Sequence, residues 1–292
     1  MKNRMWRKLL EPRIWRRIYQ ERLGEPLLYN LVSLFHLVFG STRKRIEYDL
    51  VPRQPYAYCI QAAADQARAA GIERLTLIEF GVAAGAGLLN MCWIAERVAK
   101  ETGVQFDIVG FDSGKGMPDP RDYRDHPEKY FTGDFPVSDR EALLESLPAN
   151  ARLLFGEIDE SVEKFRKEIS CPIGFISVDV DYYWSAKQCL DVLKFGPEHY
   201  LPAVLVYADD VQDIDDNEFC GELLAIKEFN QSDETPYRKL AVANLLGEHR
   251  IFKHAIWHRQ IYLAHIFDHE KRSIDYIRAN RTASVVLSNP YL

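Results

Sequence analysis

The chain has 292 residues, of which 47% are hydrophobic and 27% are charged. This length can bury the core of one large domain, or of a domain with an appended arm, and the composition excludes a disordered protein. The formal net charge is −6, but residues 1–22 carry eight Lys or Arg against Glu11 and Glu21, a segment charge of +6 that leaves −12 on residues 23–292. An acidic body disfavours binding to a phosphate backbone, so we expect no nucleic-acid partner.

Residues 1–50 form a predicted basic, amphipathic helical arm, followed by a catalytic domain at 51–292. Apolar residues recur at helical spacing from Met5 to Tyr19, with basic residues between them. The longest apolar run, Leu27–Phe39, is too short to cross a bilayer. We expect the arm to pack on its own domain or on a second subunit of a homo-oligomer, a dimer. The alternative is a peripheral contact with an anionic membrane.

From residue 51 onward, apolar strands alternate with helices. The helix Gln54–Ala70 comes first, and the predicted strands at 75–80, 106–111, 152–155, 173–178 and 203–207 alternate with helices at 88–102, 161–169 and 185–193. This alternation predicts an α/β fold with a Rossmann-like, doubly wound, mainly parallel sheet. In such sheets ligands bind at the carboxyl ends of the strands.

The first strand ends in a glycine-rich turn that begins with Glu79 and contains Gly81 and Gly85. Glycine allows a tight turn and lets a ligand approach the backbone closely. The turn is neither the dinucleotide pattern GxGxxG nor a phosphate loop, because no Lys-Ser or Lys-Thr follows it. Its spacing, ExGxxxG, is that of S-adenosylmethionine-binding loops.

The second strand ends at Asp112, followed by Ser113 and Gly114. An acidic side chain at this position is placed to accept hydrogen bonds from both hydroxyls of a ribose. The alternative is that Asp112 only caps a turn, since Asp-Ser-Gly has typical turn chemistry. Its position after the glycine turn favours the ribose.

Aspartates end the fourth and fifth strands. Asp179 and Asp181 follow the fourth, and Asp209 and Asp210 follow the fifth. Adjacent parallel strands bring Asp179, Asp209 and Asp210 close together, where the three carboxylates repel one another unless a cation is bound. All-oxygen ligands indicate Mg²⁺ or Ca²⁺. The alternative is that these aspartates cap turns and helices.

These motifs, in this order, resemble those of the macrocin O-methyltransferase family of class I S-adenosylmethionine-dependent methyltransferases. The resemblance covers roughly residues 75–211 and is carried by the segments Ile78–Gly85, Gly110–Pro118, Phe155–Ser161, Val178–Ser185 and Ala208–Val211. It implies that Glu79, Gly81, Gly85 and Asp112, with the adjacent Ser113, bind S-adenosylmethionine, and that Asp179, Asp209 and Asp210 bind Mg²⁺.

The chain also departs from the family. Val180 replaces the family's glycine between the two aspartates, and Tyr182 stands where the related catechol-type enzymes carry a lysine base. We therefore name Asp179 and Asp181 as candidate catalytic bases. Two further segments, Val51–Tyr58 and Gly221–Asn230, are typical of a bacterial subgroup to which we assign no activity.

The function this implies is a Mg²⁺-dependent O-methyltransferase that acts on a hydroxyl of a sugar or other polyol-like acceptor, a small molecule or a glycan. The alternative is a protein of the same fold without methyl transfer, either a hydroxylase-like relative or a scaffold in polysaccharide or natural-product assembly. The five cysteines are odd in number, widely spaced and without a CxxC pair. They predict reduced thiols and a cytoplasmic protein. The alternative interpretation of the arm adds a peripheral contact with the inner face of the membrane.

Overall fold

The computed structural model of the protein describes residues 19–212, 215–243 and 245–280. The helical spacing predicted for residues 5–18 lies outside these ranges. The strands are β1 (Arg74–Phe80), β2 (Gln105–Asp112), β3 (Ala151–Phe155), β4 (Ile173–Val178), β5 (Tyr200–Ala208), β6 (Arg238–Val242) and β7 (Ile261–Ile266). The α-helices are α1 (Leu27–Phe39), α2 (Thr42–Glu47), α3 (Gln54–Ala69), α4 (Ala86–Thr102), α5 (Arg140–Ser146), α6 (Ile158–Glu168), α7 (Tyr183–Leu190), α8 (Gly221–Gln231) and α9 (Ile274–Asn280).

The strands form one sheet in the order β3-β2-β1-β4-β5-β7-β6. Strands β1 to β5 are parallel, β7 runs antiparallel to β5, and β6 runs antiparallel to β7. The chain order reverses direction between β1 and β4, so the carboxyl ends of these strands flank the switch point where doubly wound sheets bind ligands. The predicted α/β fold with a mainly parallel sheet is confirmed.

Both faces of the sheet are buried, as the continuous apolar strands predict. Leu75 and Leu77 of β1 pack on one face, against helices α3 and α4. Ile78 and Phe80 of the same strand face the opposite side, where α6, α7 and α8 pack. Since side chains alternate along a strand, an unbroken run of apolar residues requires a cover on each face.

The described part of the arm is attached to the domain by polar contacts. The guanidinium of Arg250 donates to the carbonyl of Ile46 over 2.6 Å and to the carboxylate of Asp49 over 2.7 Å. Glu25 accepts a 2.6 Å hydrogen bond from the backbone N–H of Lys253. The arm therefore contacts its own domain. No helix within the described ranges combines the length and the apolar character that crossing a bilayer requires.

All five cysteines are free thiols, and all but Cys171 are buried. Burial raises the pKa of the Cys59 and Cys189 thiols well above the ordinary value, so both stay protonated. These cysteines therefore behave as small apolar core residues.

Candidate active site

The carboxyl ends of β1, β2 and β4 open into one cavity of about 700 Å³. A volume of this size is typical of a site for a cofactor and a small substrate. The cavity lining includes the glycine turn after β1, Asp112 and Ser113 after β2, Asp179 and Asp181 after β4, and Asp209 after β5.

The glycine turn passes so close to the residue after β4 that only glycine fits at position 81. Gly81 has a φ of +82°, and a Cβ atom there would lie 1.7 Å from the carbonyl oxygen of Asp179. Gly85, with a φ of +84°, caps the start of α4 against Leu143 and lies outside the cavity lining. Gly87 lines the cavity instead. Gly81 thus allows the close approach of the turn to the end of β4.

Glu79 lines the cavity and is buried, with only 1% of its surface exposed. Its Oε1 atom accepts a 2.8 Å hydrogen bond from the hydroxyl of Tyr56, and a Cβ on Gly87 would lie 1.8 Å from the same atom. Its Oε2 atom is buried and has no hydrogen-bond partner among the described residues. Burial raises the pKa of Glu79 to about 8. A buried carboxyl oxygen without a donor is suited to a cationic ligand group.

Asp112 connects the two strand ends through its carboxylate. Oδ2 accepts hydrogen bonds from the backbone N–H groups of Val82, over 2.9 Å, and Ala83, over 2.8 Å, while Oδ1 accepts one from Gly114 over 2.5 Å. A carboxylate has about four acceptor directions, so roughly one remains for a ligand. This is fewer than the two that we expected a ribose diol to use. Asp112 shapes the glycine turn as well as lining the cavity.

Ser113 also lines the cavity, but its hydroxyl is engaged within its own loop. The Oγ atom donates to the carbonyl of Gly116 over 3.2 Å and accepts from the N–H of Lys115 over 3.0 Å. Its side chain thus stabilises the loop that borders the cavity.

The carboxylates of the two aspartates after β5 accept hydrogen bonds from protein side chains. The carboxylate of Asp209 accepts hydrogen bonds from the hydroxyl of Tyr207 and the amide of Gln260. The carboxylate of Asp210 accepts from the hydroxyl of Tyr130 over 2.9 Å and lies 3.8 Å from the ammonium of Lys129. Asp210 lies outside the cavity lining, although Asp209 belongs to it.

The three predicted magnesium ligands are therefore not brought together as a set. Among the residues that the structure describes, no three His, Cys, Asp or Glu side chains are arranged to hold a metal ion. The physical reason is that Asp209 and Asp210 turn towards different donors. The donor set, as it stands, does not fit Mg²⁺, and we derive no chemical step through a metal.

Asp181 combines backbone strain with a shifted pKa. Its φ of +61° lies in the left-handed region, which costs about 1–3 kcal/mol for a residue other than glycine and is concentrated at functional sites. Burial, together with the nearby Asp210, raises the pKa of Asp181 to about 8. Burial also raises the pKa of Asp179 well above its ordinary value. Burial thus raises the pKa of both candidate bases, and of the two only Asp181 has a left-handed backbone.

Aromatic and polar side chains form the wall of the cavity beyond the aspartates. Tyr182 and Trp184 line it beside Asp125, whose carboxylate accepts a 3.1 Å hydrogen bond from the backbone N–H of Trp184. The guanidinium of Arg124 lies 4.6 Å from the Trp184 ring centre. Aromatic rings and a carboxyl group thus lie side by side in this wall of the cavity.

The sequence prediction omits several residues at or next to the site, among them Arg53 and Glu222. Arg53 lines the cavity, and Glu222, which is 1% exposed, accepts a 3.2 Å hydrogen bond from the backbone N–H of Asp210. They lie in Val51–Tyr58 and Gly221–Asn230, two segments to which the sequence analysis assigned no role. Their only signal was that both segments are typical of a bacterial subgroup.

Comparison with known proteins finds solved structures that resemble the chain at low sequence identity and low TM-score. No protein-family model matches the chain, and no curated protein matches it either. Among solved structures, the calicheamicin methyltransferase CalS11 is 19% identical with a TM-score of 0.46, over 64% of this chain and 74% of that one. An O-methyltransferase from Bacillus cereus, in complex with S-adenosylhomocysteine, is 13% identical with a TM-score of 0.41, over 74% of this chain and 82% of that one. These values do not assign an activity, and the description of the fold rests on the sheet order given above.

Proposed function

We propose that this chain is an S-adenosylmethionine-dependent O-methyltransferase whose acceptor is a sugar or another polyol-like molecule. The observation that carries the proposal is the cavity at the switch point of the sheet. Its lining is rich in carboxyl groups, among them the buried Glu79 and the partly buried Asp179 and Asp181, and its glycine turn approaches the end of β4 closely at Gly81. S-adenosylmethionine has a sulfonium and an ammonium group, with which carboxyl groups can pair when they lose their protons. The pyrophosphate of a dinucleotide carries no positive charge to pair with them.

The residues present fit this donor. Oε2 of Glu79 is buried without a partner and is suited to the α-amino group, and Asp112 keeps an acceptor direction for the ribose. When bound, the donor supplies a methyl group on a positively charged sulfur that leaves as a neutral thioether. The chain's own part is to position the acceptor oxygen, exclude water and take up the hydroxyl proton.

Asp181 is the residue that we assign to proton removal. It lines the cavity at the end of β4, on the side where Tyr182 and Trp184 provide aromatic surface. The carboxylate of Asp181 would take up the proton of the acceptor hydroxyl, while the bound donor would supply the methyl group. A positioned base of this kind contributes about 10²–10⁴-fold to the rate.

Calorimetry and a transfer assay test the proposal. The purified full-length chain is titrated with S-adenosylhomocysteine and with NAD, and is then incubated with methyl-labelled S-adenosylmethionine and a set of free and nucleotide-linked sugars. We expect binding of S-adenosylhomocysteine, weak or no binding of NAD, and label in a carbohydrate. Tight NAD binding without a response to S-adenosylhomocysteine would refute the proposal.

A further inference from the structure

The guanidinium of Arg53 lines the cavity without a bonding partner. It forms no hydrogen bond or ion pair with any residue in the described ranges, and its nearest ring contact is at 5.3 Å, over Tyr56. Its charge nevertheless interacts with those of Glu79 and Asp179 nearby. A half-buried cation that faces a cavity and lacks a bonded anion is suited to bind an anionic group of a ligand.

The backbone at Arg53 adds an independent observation. Its φ is +48°, in the left-handed region, and the residue caps the start of α3 without a side-chain hydrogen bond to the helix. Such a conformation is costly for a residue with a long side chain and persists only where its surroundings fix it. The left-handed turn is therefore held by the packing of the fold around it.

We propose that Arg53 binds the α-carboxylate of the methionine part of S-adenosylmethionine, while Glu79 binds its α-amino group. This inference rests on the function proposed above. Glu79 offers a free buried oxygen and Arg53 a free guanidinium at the same cavity, and an amino acid carries both complementary charges. Guanidinium and carboxylate form paired, charge-assisted hydrogen bonds.

Ligands that differ by one group test this assignment in the full-length protein. S-adenosylhomocysteine has both charged groups, its decarboxylated analogue keeps only the amine, and methylthioadenosine has neither. We expect Arg53→Met to weaken S-adenosylhomocysteine binding by about 10- to 100-fold and to leave the decarboxylated analogue unaffected. Arg68→Met, which changes an exposed arginine in the same helix, is the matched control and is expected to change neither.

The outcomes distinguish failure of the Arg53 assignment from failure of the proposed function. If Arg53→Met weakens the binding of S-adenosylhomocysteine and of its decarboxylated analogue equally, the role of Arg53 is structural. If it weakens the binding of neither ligand, Arg53 binds a different anion. Both results overturn the assignment. If the wild-type chain binds none of the three ligands, the proposed function itself fails. Thermal unfolding of each variant shows whether the fold is retained.

A second inference comes from α1, whose polar side chains face the protein. Ser33 is 5% exposed, Asn30 donates a 2.8 Å hydrogen bond to the carbonyl of Arg22, and the His36 ring lies 4.8 Å from that of Tyr48. The opposite face is apolar and each of its side chains is more than half exposed: Leu27, Leu28, Leu31, Leu34, Phe35, Leu37, Val38 and Phe39. This is the reverse of the usual arrangement of a surface helix.

The charge of the segment before α1 indicates which kind of surface the apolar face of this helix binds. Residues 1–22, which precede α1, carry a charge of +6. An anionic bilayer provides an apolar layer beneath a negative surface and satisfies both features, and the 13 residues of α1 suit a helix lying along that surface.

We infer that the apolar face of α1 binds the surface of an anionic membrane. Flotation of the full-length protein with vesicles of phosphatidylcholine alone, or with added phosphatidylserine, tests this. We expect binding only to the anionic vesicles, release by salt, and loss of binding in Leu34→Asp. Leu144→Asp, at an exposed leucine of α5, is the control and is expected to bind normally.

Two results would overturn the membrane inference. One is a dimer in sedimentation that Leu34→Asp dissociates, which would assign the apolar face to a second copy. The other is a monomer that binds no vesicles.

Discussion

The hydroxyl of Tyr56 donates a 2.8 Å hydrogen bond to Oε1 of Glu79, and it lies 2.7 Å from the hydroxyl of Ser177. The bond from Tyr56 favours the ionised carboxylate, but burial outweighs it, and the pKa of Glu79 rises to about 8. Near neutral pH the carboxyl group is therefore largely protonated. A cationic ligand group that binds it must displace that proton.

Binding of S-adenosylhomocysteine is accordingly expected to strengthen as the pH rises towards 8, by at most about tenfold per pH unit, and to release a proton. Calorimetry in buffers of different ionisation enthalpy measures both effects. Glu79→Gln should bind more weakly and without proton release. An unchanged pH dependence in Glu79→Gln would assign the titration to another group.

The same group affects stability in the absence of ligand. The pKa of Glu79 is about 8 in the folded chain against an ordinary value of 4.5, so the folded state holds the proton more tightly. The contribution of protonated Glu79 to the free energy of unfolding is complete below pH 4.5. It is lost as the pH rises to 8, by at most about 1.4 kcal/mol per pH unit. Denaturant unfolding across this range is expected to show a shallower decline in Glu79→Gln than in wild type. Parallel curves would contradict this.

The close approach of Gly81 to β4 predicts a large cost for one added methyl group. A Cβ at this position would lie 1.7 Å from the carbonyl oxygen of Asp179. Gly103 has nearly the same φ, +81° against +82°, with no atom within 4 Å of its Cβ position. Gly103→Ala should cost about 1 kcal/mol of unfolding free energy, and Gly81→Ala should cost several times that and abolish ligand binding. Equal effects of the two substitutions would show that the contact with Asp179 is unimportant.

Replacing the proposed base should separate chemistry from binding. Asp181→Asn keeps the size of the side chain and removes its ability to accept a proton. We expect the rate of methyl transfer in a single turnover to fall by about 10²–10⁴-fold, with the Kd of S-adenosylhomocysteine unchanged. Asp179→Asn measures the rival candidate in the same assay. If Asp179→Asn alone loses the transfer step, the base is Asp179.

Removal of divalent ions is expected to leave donor binding unaffected. Asp209 and Asp210 are hydrogen-bonded to protein donors, and no described residues form a metal-binding set. The Kd of S-adenosylhomocysteine should therefore be the same after treatment with EDTA and in millimolar Mg²⁺. A Kd that tightens with Mg²⁺, and no longer does so in Asp210→Asn, would restore the metal site that the sequence predicted.

Local pattern was enough to predict the parallel half of the fold. Strands such as Ile173–Val178 are short, apolar and bounded by turn residues, and the predicted helix Gln54–Ala70 differs from the observed one by a single residue at its end. Strands β6 and β7 were not predicted. They are stabilised by antiparallel pairing at the edge of the sheet, a tertiary contact that leaves little trace in so short a segment.

The candidate site was predicted in position but not in side-chain detail. Strand ends place Glu79, Asp112, Asp179 and Asp181 at one cavity, as the topology requires. Which way each carboxylate turns depends on donors far away in the chain, such as Gln260 for Asp209. Periodicity and motif spacing carry no information about such partners, so the sequence predicts which carboxyl groups lie near one another and not the direction in which each one turns.

The attachment of the arm has a consequence for the geometry of the cavity. Arg250 of the domain holds the carboxylate of Asp49, and four residues later the chain reaches Arg53 at the cavity. The ion pair therefore anchors the chain just before the cavity, and a movement of the arm that keeps this pair leaves the position of Arg53 unchanged.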